Sequence, residues 1–456
     1  MNTKKALLLG VLAASLAVLS ACGGQQGAAG AELQGTLVNL CGQPLPYMTV
    51  YVPGHEPVLT GLDGKFVIED VAAPYDLAIG DAYLLSDTVE ELPILVYQGL
   101  TVMEPRLAVK TTGDRNEDGC LETRFFGSLT TTASGGSLYS AHVSGFTGAG
   151  NYYETWSAPD GGSYDATIYT APDEPAYLKT LLWEVDGEGE IAAFVAGAYA
   201  TLTPNGDEVE ENLELEPLGT LALSATVSTP AAVSLAFVAS NAVVSGSRGF
   251  LELQRREAGD AVNGVFSFLV PDAAGWGSLL MARGTYGRSS RLSVGGSDIA
   301  SVEGQVFSWR RVFEFGEEAV NLSLPEPVVP VTPLQGSVVG PDTTFSWVGP
   351  EGMVYDSMLQ IKQDGPDISV EVITQGTSLS LPELSGLGVS YDAAGRLYWQ
   401  IAAWKSEAMP ATVDGFADFE MVRTIMSDMQ HEYPGDAGSA VFCDAGSYGV
   451  AASQER

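Results

Sequence analysis

Two runs in this chain have residue types and spacing suited to chemistry. The first is Asp114-Arg115-Asn116-Glu117-Asp118-Gly119. Oxygen ligands at positions 1, 3 and 5, with glycine at 6 for the sharp turn, match the start of a calcium loop. Asp114, Asn116 and Asp118 would then be metal ligands and calcium the cofactor. Position 12 should be a bidentate Glu but is Phe125, and no flanking helices are apparent. Glu122, at position 9, would have to reach the ion through a water. The run also reads as an acidic linker turn that holds no ion. The second is Tyr152-Tyr153-Glu154-Thr155-Trp156, the densest aromatic cluster. Alternate residues of a strand share a face, so Tyr152 and Trp156 could form a ligand-binding platform for a sugar, or anchor a core or loop.

Other chemistries lack their residues. His55, His142 and His431 are scattered, and no His-x-x-x-His or Cys-x-x-Cys spacing suits zinc. There is no Gly-x-Ser-x-Gly elbow and no phosphate-cradling glycine loop with Lys. Gly435-Asp436-Ala437-Gly438-Ser439 has Ala437 where a chymotrypsin-like nucleophile would stand, and reads as part of a flexible tail. With 57 acidic residues some carboxylate pair lies close by chance, so proximity alone assigns no glycosidase. The expectation is a protein that is not an enzyme, with a hydrolase whose site is unrecognised as the less favoured alternative.

The N-terminus carries a localisation signal. Lys4 and Lys5 precede the apolar run Ala6 to Leu19, too short to span a bilayer and suited to a signal-peptide core. Leu19-Ser20-Ala21-Cys22 follows and resembles a bacterial lipobox. That resemblance implies cleavage after residue 21, acylation of Cys22 and a membrane anchor through it; several acyl chains hold durably where one binds marginally. Gly23 stands where Gram-negative inner-membrane lipoproteins carry Asp, which points to the outer membrane or cell surface. Residues 22–31 are a Gly-rich tether. Outside the cytoplasm disulfides persist. With Cys22 committed to lipid, Cys41, Cys120 and Cys443 allow at most one bridge. Cys41 with Cys120 is the preferred pair, because they flank the first domain; three buried free thiols are the alternative.

The elements that would position such sites are strands. The 456 residues suggest three or four domains at roughly 100–200 residues each, and 45% hydrophobic against 17% charged residues is material for folded cores. The formal charge of −36 repels phosphate backbones, so nucleic acid is excluded as a partner. Short alternating runs such as Thr220 to Val227 and Val265 to Val270 are broken by turn signals at Asp63-Gly64 and Asn263-Gly264. The fold class is all-β: tandem antiparallel β-sandwich domains after a lipoprotein signal peptide.

Two segments carry family resemblances. Gly42-Gln43-Pro44, Val50-Tyr51-Val52, Thr60-Gly61-Leu62-Asp63-Gly64-Lys65-Phe66-Val67-Ile68 and Pro74-Tyr75-Asp76-Leu77 resemble the carboxypeptidase regulatory-like domain, a small transthyretin-like sandwich. The resemblance implies an accessory or adhesive module with no catalytic residues, over 32–108. Phe345-Ser346-Trp347, Tyr355, Leu381-Pro382 and Tyr398-Trp399-Gln400-Ile401 resemble a fibronectin type III-like sandwich over 334–428, in which a Trp and a late Tyr pack between two sheets. Between them, 120–217 and 218–325 read as two β-rich units, or as one. Pro325, Pro327, Pro330 and Pro333 read as a stiff linker and 429–456 as a tail. The whole reads as a lipid-anchored envelope protein with an unknown envelope protein or a glycan as partner.

Overall fold

The computed structural model describes residues 30–450 apart from 82–90, 110–118, 145–151, 158–161, 173, 248, 288–292, 295–296, 299–302, 317, 335, 341, 364–366, 390–394, 409–410 and 418–435. The described chain is almost entirely strand; its one α-helical segment is the single turn Val413–Phe416. The all-β expectation holds, with small sheets packed face to face against larger ones. No helix among the described residues is long and apolar enough to cross a membrane.

A thirteen-stranded sheet organises the molecule. From one edge it runs Leu251–Glu257, Ser234–Val244, Trp276–Tyr286, Glu303–Val312, Ala437–Val450, Gly395–Ser406, Val354–Gln363, Asp367–Thr374, Glu91–Leu100, Tyr75–Asp81, Met48–Tyr51 and Val58–Leu59, with Val338–Val339 paired in parallel to Ala437–Val450 off this path. Neighbours along this path are antiparallel except Asp367–Thr374 with Glu91–Leu100, which pair in parallel. Alternation assigns the faces. In Gly395–Ser406, Leu397, Trp399, Ile401 and Ala403 are buried on one side. Glu91–Leu100 has no such alternation in polarity: Ile94 and Val96 enter one core, Leu95 and Tyr97 another. A strand covered on both faces reads as an unbroken apolar run, and this one does.

Three small sheets cover the large one. On the first face lie Gly219–Ser228, Val265–Asp272 and Val320–Ser323, whose Leu223, Phe266 and Phe268 share a core with Val238, Leu280 and Val306. Beside them lie Val329–Thr332, Thr344–Val348 and Ser378–Ser380. There Phe345 and Trp347 meet the Trp399 ring edge-on at 5.1 and 6.0 Å, and the Trp399 Nε1–H donates to Ser357 Oγ at 2.8 Å. On the second face lie Ala31–Val38, Lys65–Val71 and Arg106–Ala108, with Leu33, Leu37, Phe66 and Ile68 in the core below. The turn Val413–Phe416 extends that cover: it packs on Glu91–Leu100 and Asp367–Thr374 with Val413 and Phe416 buried in the same core, and Thr412 Oγ1 caps the turn by accepting from the Gly415 amide. Burying each such large side chain contributes about 1.5–3 kcal/mol.

Residues 121–217 form a separate eight-stranded sheet around Phe125, Tyr164, Leu178 and Leu182. Leu181, Trp183 and Phe194 dock it onto Val244, Leu251 and Trp276 of the large sheet. A new sheet begins at Gly219. The segments 32–108, 218–325 and 334–428 are not separate beads, since each contributes strands to the one large sheet. Two readings are corrected. The tail 429–456 contains Ala437–Val450, a strand inside the large sheet between Glu303–Val312 and Gly395–Ser406. The proline-rich linker is seated too: Val328 and Val329 are buried, and Val329–Thr332 is a strand.

Candidate functional site

The second face of the large sheet is covered at one end of its strands and open at the other. Under the cover lie Trp309, Trp404, Val354 and Ile373. Two residues further along each of these strands come Phe307, Ala402, Asp356 and Glu371, which are half-buried. Beyond them the face is open: Met358 and Tyr398 are each 40% exposed, and Gln400 is exposed. Register places Met358 opposite both Gln400 and Glu371, and Asp356 opposite Ala402. The open half therefore combines apolar surface with amides and carboxyls, a mixture that suits ligand binding more than packing.

At the boundary Asp356 and Glu371 are hydrogen-bonded to each other. Two adjacent carboxyls cannot both ionise cheaply. Burial first, then the Glu371 charge, pushes the Asp356 carboxyl well above the usual carboxylate range. Asp356 Oδ1 is sealed from solvent with no hydrogen-bond partner. Tyr97 lies wholly buried alongside, its phenol pushed up by burial and then by the Glu371 and Asp356 charges. Chemically this is a proton-sharing pair backed by a neutral phenol.

Along the other half of the face runs a row of rings and guanidiniums. The Arg255 guanidinium stands 4.3 Å from the Phe237 ring, and that of Arg283 lies 5.7 Å from Phe237 and 5.8 Å from Phe307. Phe307 meets Phe442 edge-on at 5.7 Å, and Phe442 meets Trp404 at 5.3 Å. None of these residues was singled out from the sequence. The available signal was a polar residue on alternate positions of an apolar strand, as in Val354-Tyr355-Asp356-Ser357 and Val370-Glu371-Val372.

The sequence-derived candidates lie elsewhere and do not converge. Cys22 and the run Asp114, Asn116, Asp118 fall outside the described residues. Phe125, at the twelfth loop position, is buried in the core of the eight-stranded sheet, while Glu122 is exposed. A shallow hollow of about 440 Å³ beside them is lined by Cys120, Glu122, Arg124, Gly206 and Asp207. Arg124 bonds Asp165 at 2.6 and 2.8 Å and Glu208 at 2.6 Å, and its hydrogen bonds hold the Asp165 carboxyl below its usual range. No cluster of three metal-ligating side chains exists among the described residues. Cys41 and Cys120 are joined in a disulfide with Cα atoms 5.4 Å apart, and Cys443 is a buried free thiol. Tyr152–Ser157 is an edge strand that sets Tyr152 opposite Val143 and Trp156 opposite Tyr139. Val143 and Tyr139 are core residues; the Tyr152 and Trp156 side chains themselves fall outside what is described.

No protein-family model and no curated protein matches the chain. Among solved structures it is similar to a leucine-rich repeat protein from Bacteroides thetaiotaomicron, at 15% identity and a TM-score of 0.16 over 46% of this chain. The chain spans only 26% of that protein. It is also similar to a streptococcal ancillary pilin, at 8% identity and a TM-score of 0.16, over 64% of this chain and 98% of the pilin. Likeness this slight identifies no fold relative.

Proposed function

We propose that this chain is a lipid-anchored, non-enzymatic protein of the cell envelope or cell surface that presents the open half of its large sheet to an envelope protein. The anchor is Cys22, and the Gly-rich tether 22–31 leads from it into the first strand, which starts at Ala31. The observation that carries the binding role is the half-covered face. Met358, Tyr398 and Gln400 are displayed on a rigid sheet whose other face is sealed by two small sheets. Rigid presentation lowers the ordering cost of association. A carbohydrate-binding or adhesive role is the second reading, favoured by the half-exposed Phe307 and Phe442 rings beside the Gln305 and Gln400 amides. The Asp356–Glu371 pair does not favour glycoside hydrolysis. Its carboxyls bond each other, whereas glycosidases hold theirs about 5 Å or more apart with the sugar between.

Two experiments test this reading. Cys22→Ala is expected to lose its acylated mass and its membrane partitioning; a variant that keeps both removes the anchor. A photo-cross-linking residue at position 358, on intact cells, is expected to capture a defined partner that the same residue at the exposed position 67 does not. Equal capture from both positions removes the face.

A further inference from the structure

We infer that the row Arg255, Phe237, Arg283, Phe307 and Phe442 is a binding site for an acidic polysaccharide, one whose carboxylates lie on the guanidiniums that the buried Phe237 ring supports and whose sugar faces lie on the Phe307 and Phe442 rings. The inference rests on the half-covered face proposed above and names the ligand class of its second reading.

The first support is the distribution of charge. The chain carries −36, yet the row sets two guanidiniums, Arg255 and Arg283, against the one Phe237 ring. Two guanidiniums on one ring are a local complement to an anion on an otherwise acidic chain, with Glu257 opposite Phe237 at the row's edge. The second support is geometry. Phe237, Arg283 and Phe307 are directly opposite one another on three adjacent strands, which puts the Arg283 guanidinium between two phenyl rings. Stacked like that it is held flat, with its N–H edge available for bidentate bonding to a carboxylate. Among the described residues its Nε is buried without an acceptor, and it makes no ion pair. Arg255 stacks on the same Phe237 ring and is engaged by Glu252 at 3.4 Å, an exposed contact that a ligand can displace. The two arginines stand two strands apart, about 10 Å. Arg256, by contrast, is tied to Glu190 at 2.6 Å, and Arg310 sits opposite Leu280 on the other face.

Polysaccharide is favoured over acidic peptide by the backbone. Phe237, Arg283, Phe307 and Phe442 sit inside the sheet, where strand-to-strand bonding has used the main-chain groups, and only Arg255 is on the edge strand Leu251–Glu257. A peptide laid across such a face leaves its own amides without ladder partners, because strand addition happens at edges. A sugar offers hydroxyls to side chains and an apolar face to a ring. Gln305, opposite Phe442, and Thr285, opposite Gln305, are placed to meet those hydroxyls.

The test is binding of the full chain, in mild detergent, to polygalacturonate, its methyl ester, dextran and poly-L-glutamate. Polygalacturonate is expected to bind at least tenfold more tightly than the ester or dextran. Arg283→Gln is expected to lose at least tenfold of that affinity, and Arg310→Gln less than twofold. Poly-L-glutamate binding as tightly as polygalacturonate, or Arg310→Gln losing as much as Arg283→Gln, would overturn the assignment to a sugar acid at this row. Equal binding of ester and acid, lost together on Phe442→Ala, overturns the charge assignment and leaves the face as a binding surface. No binding of any polymer, together with no partner cross-linked from position 358 on cells, overturns both.

Discussion

Reducing the Cys41–Cys120 bond should loosen the first sheet far more than the rest of the molecule. The bond closes a loop of 79 residues that holds Lys65–Val71 and Arg106–Ala108, the two strands that flank Ala31–Val38 in that sheet. Chain-entropy reasoning for a loop of that length gives about 4.5 kcal/mol of stabilisation, through restriction of the unfolded segment. Because the molecule has several cores, one global transition is a poor readout. Amide exchange reports each region separately. In reduced wild-type chain the amides of Leu33 to Leu37 should exchange on the order of 10³-fold faster than in oxidised chain, at about 1.4 kcal/mol per tenfold. Amides of Val238, Leu280 and Ala282, on strands far from the bridge, should change little. Using reduced wild type rather than a Cys41 substitution avoids a new polar group at a site that is 2% exposed. Exchange at Leu33 to Leu37 within about threefold of the oxidised rate would refute the reasoning, by showing that this sheet opens only together with the elements that already hold its ends.

Burial pushes the Cys443 thiol up to about 12, so at pH 8 it should resist a disulfide-exchange reagent in the native chain and react once the chain is denatured; native labelling at position 443 would contradict its burial. Asp356 has a raised folded pKa, so its contribution is fully present below the unfolded value of about 3.9 and is lost as pH rises through the folded value. Asp356→Asn should therefore melt above wild type at pH 8 and converge with it near pH 4; a wild type that gains on the variant with rising pH would reverse the assignment. Trp399→Ala removes a wholly buried indole from the Phe345 and Trp347 contacts and orphans the Ser357 hydroxyl, and should cost about 3–5 kcal/mol in denaturant unfolding.

What could be read from the sequence was which side of a strand faces a core. The alternation in Val265-Phe266-Ser267-Phe268-Leu269-Val270 places Phe266 and Phe268 inward, and they are buried. Trp347 and Trp399 likewise meet in one core. A period of two gives a face and not a neighbour. Nothing local in Glu91–Leu100 names Asp367–Thr374 as its partner, so the fusion of segments into one sheet stayed hidden. Ala437–Val450 was misread for a different reason. Its glycines and alanines look like linker, but small residues are what the site demands, since a Cβ on Gly438 would collide with the Trp309 ring. The carboxyl pair was invisible because Asp356 and Glu371 are ordinary members of an acidic chain until the strands set them side by side.

The place of Ala437–Val450 has a consequence for how the chain can be made. A chain that emerges N-terminus first displays Glu303–Val312 and Gly395–Ser406 before the strand that bridges them exists. Until then each presents a bare edge of unpaired amides and carbonyls, the kind of edge that recruits other chains. The two halves of the large sheet are thus joined by a strand synthesised after both of them. A chain stopped before Ala437 would have most of its contacts encoded and still leave the large sheet open along two sticky seams.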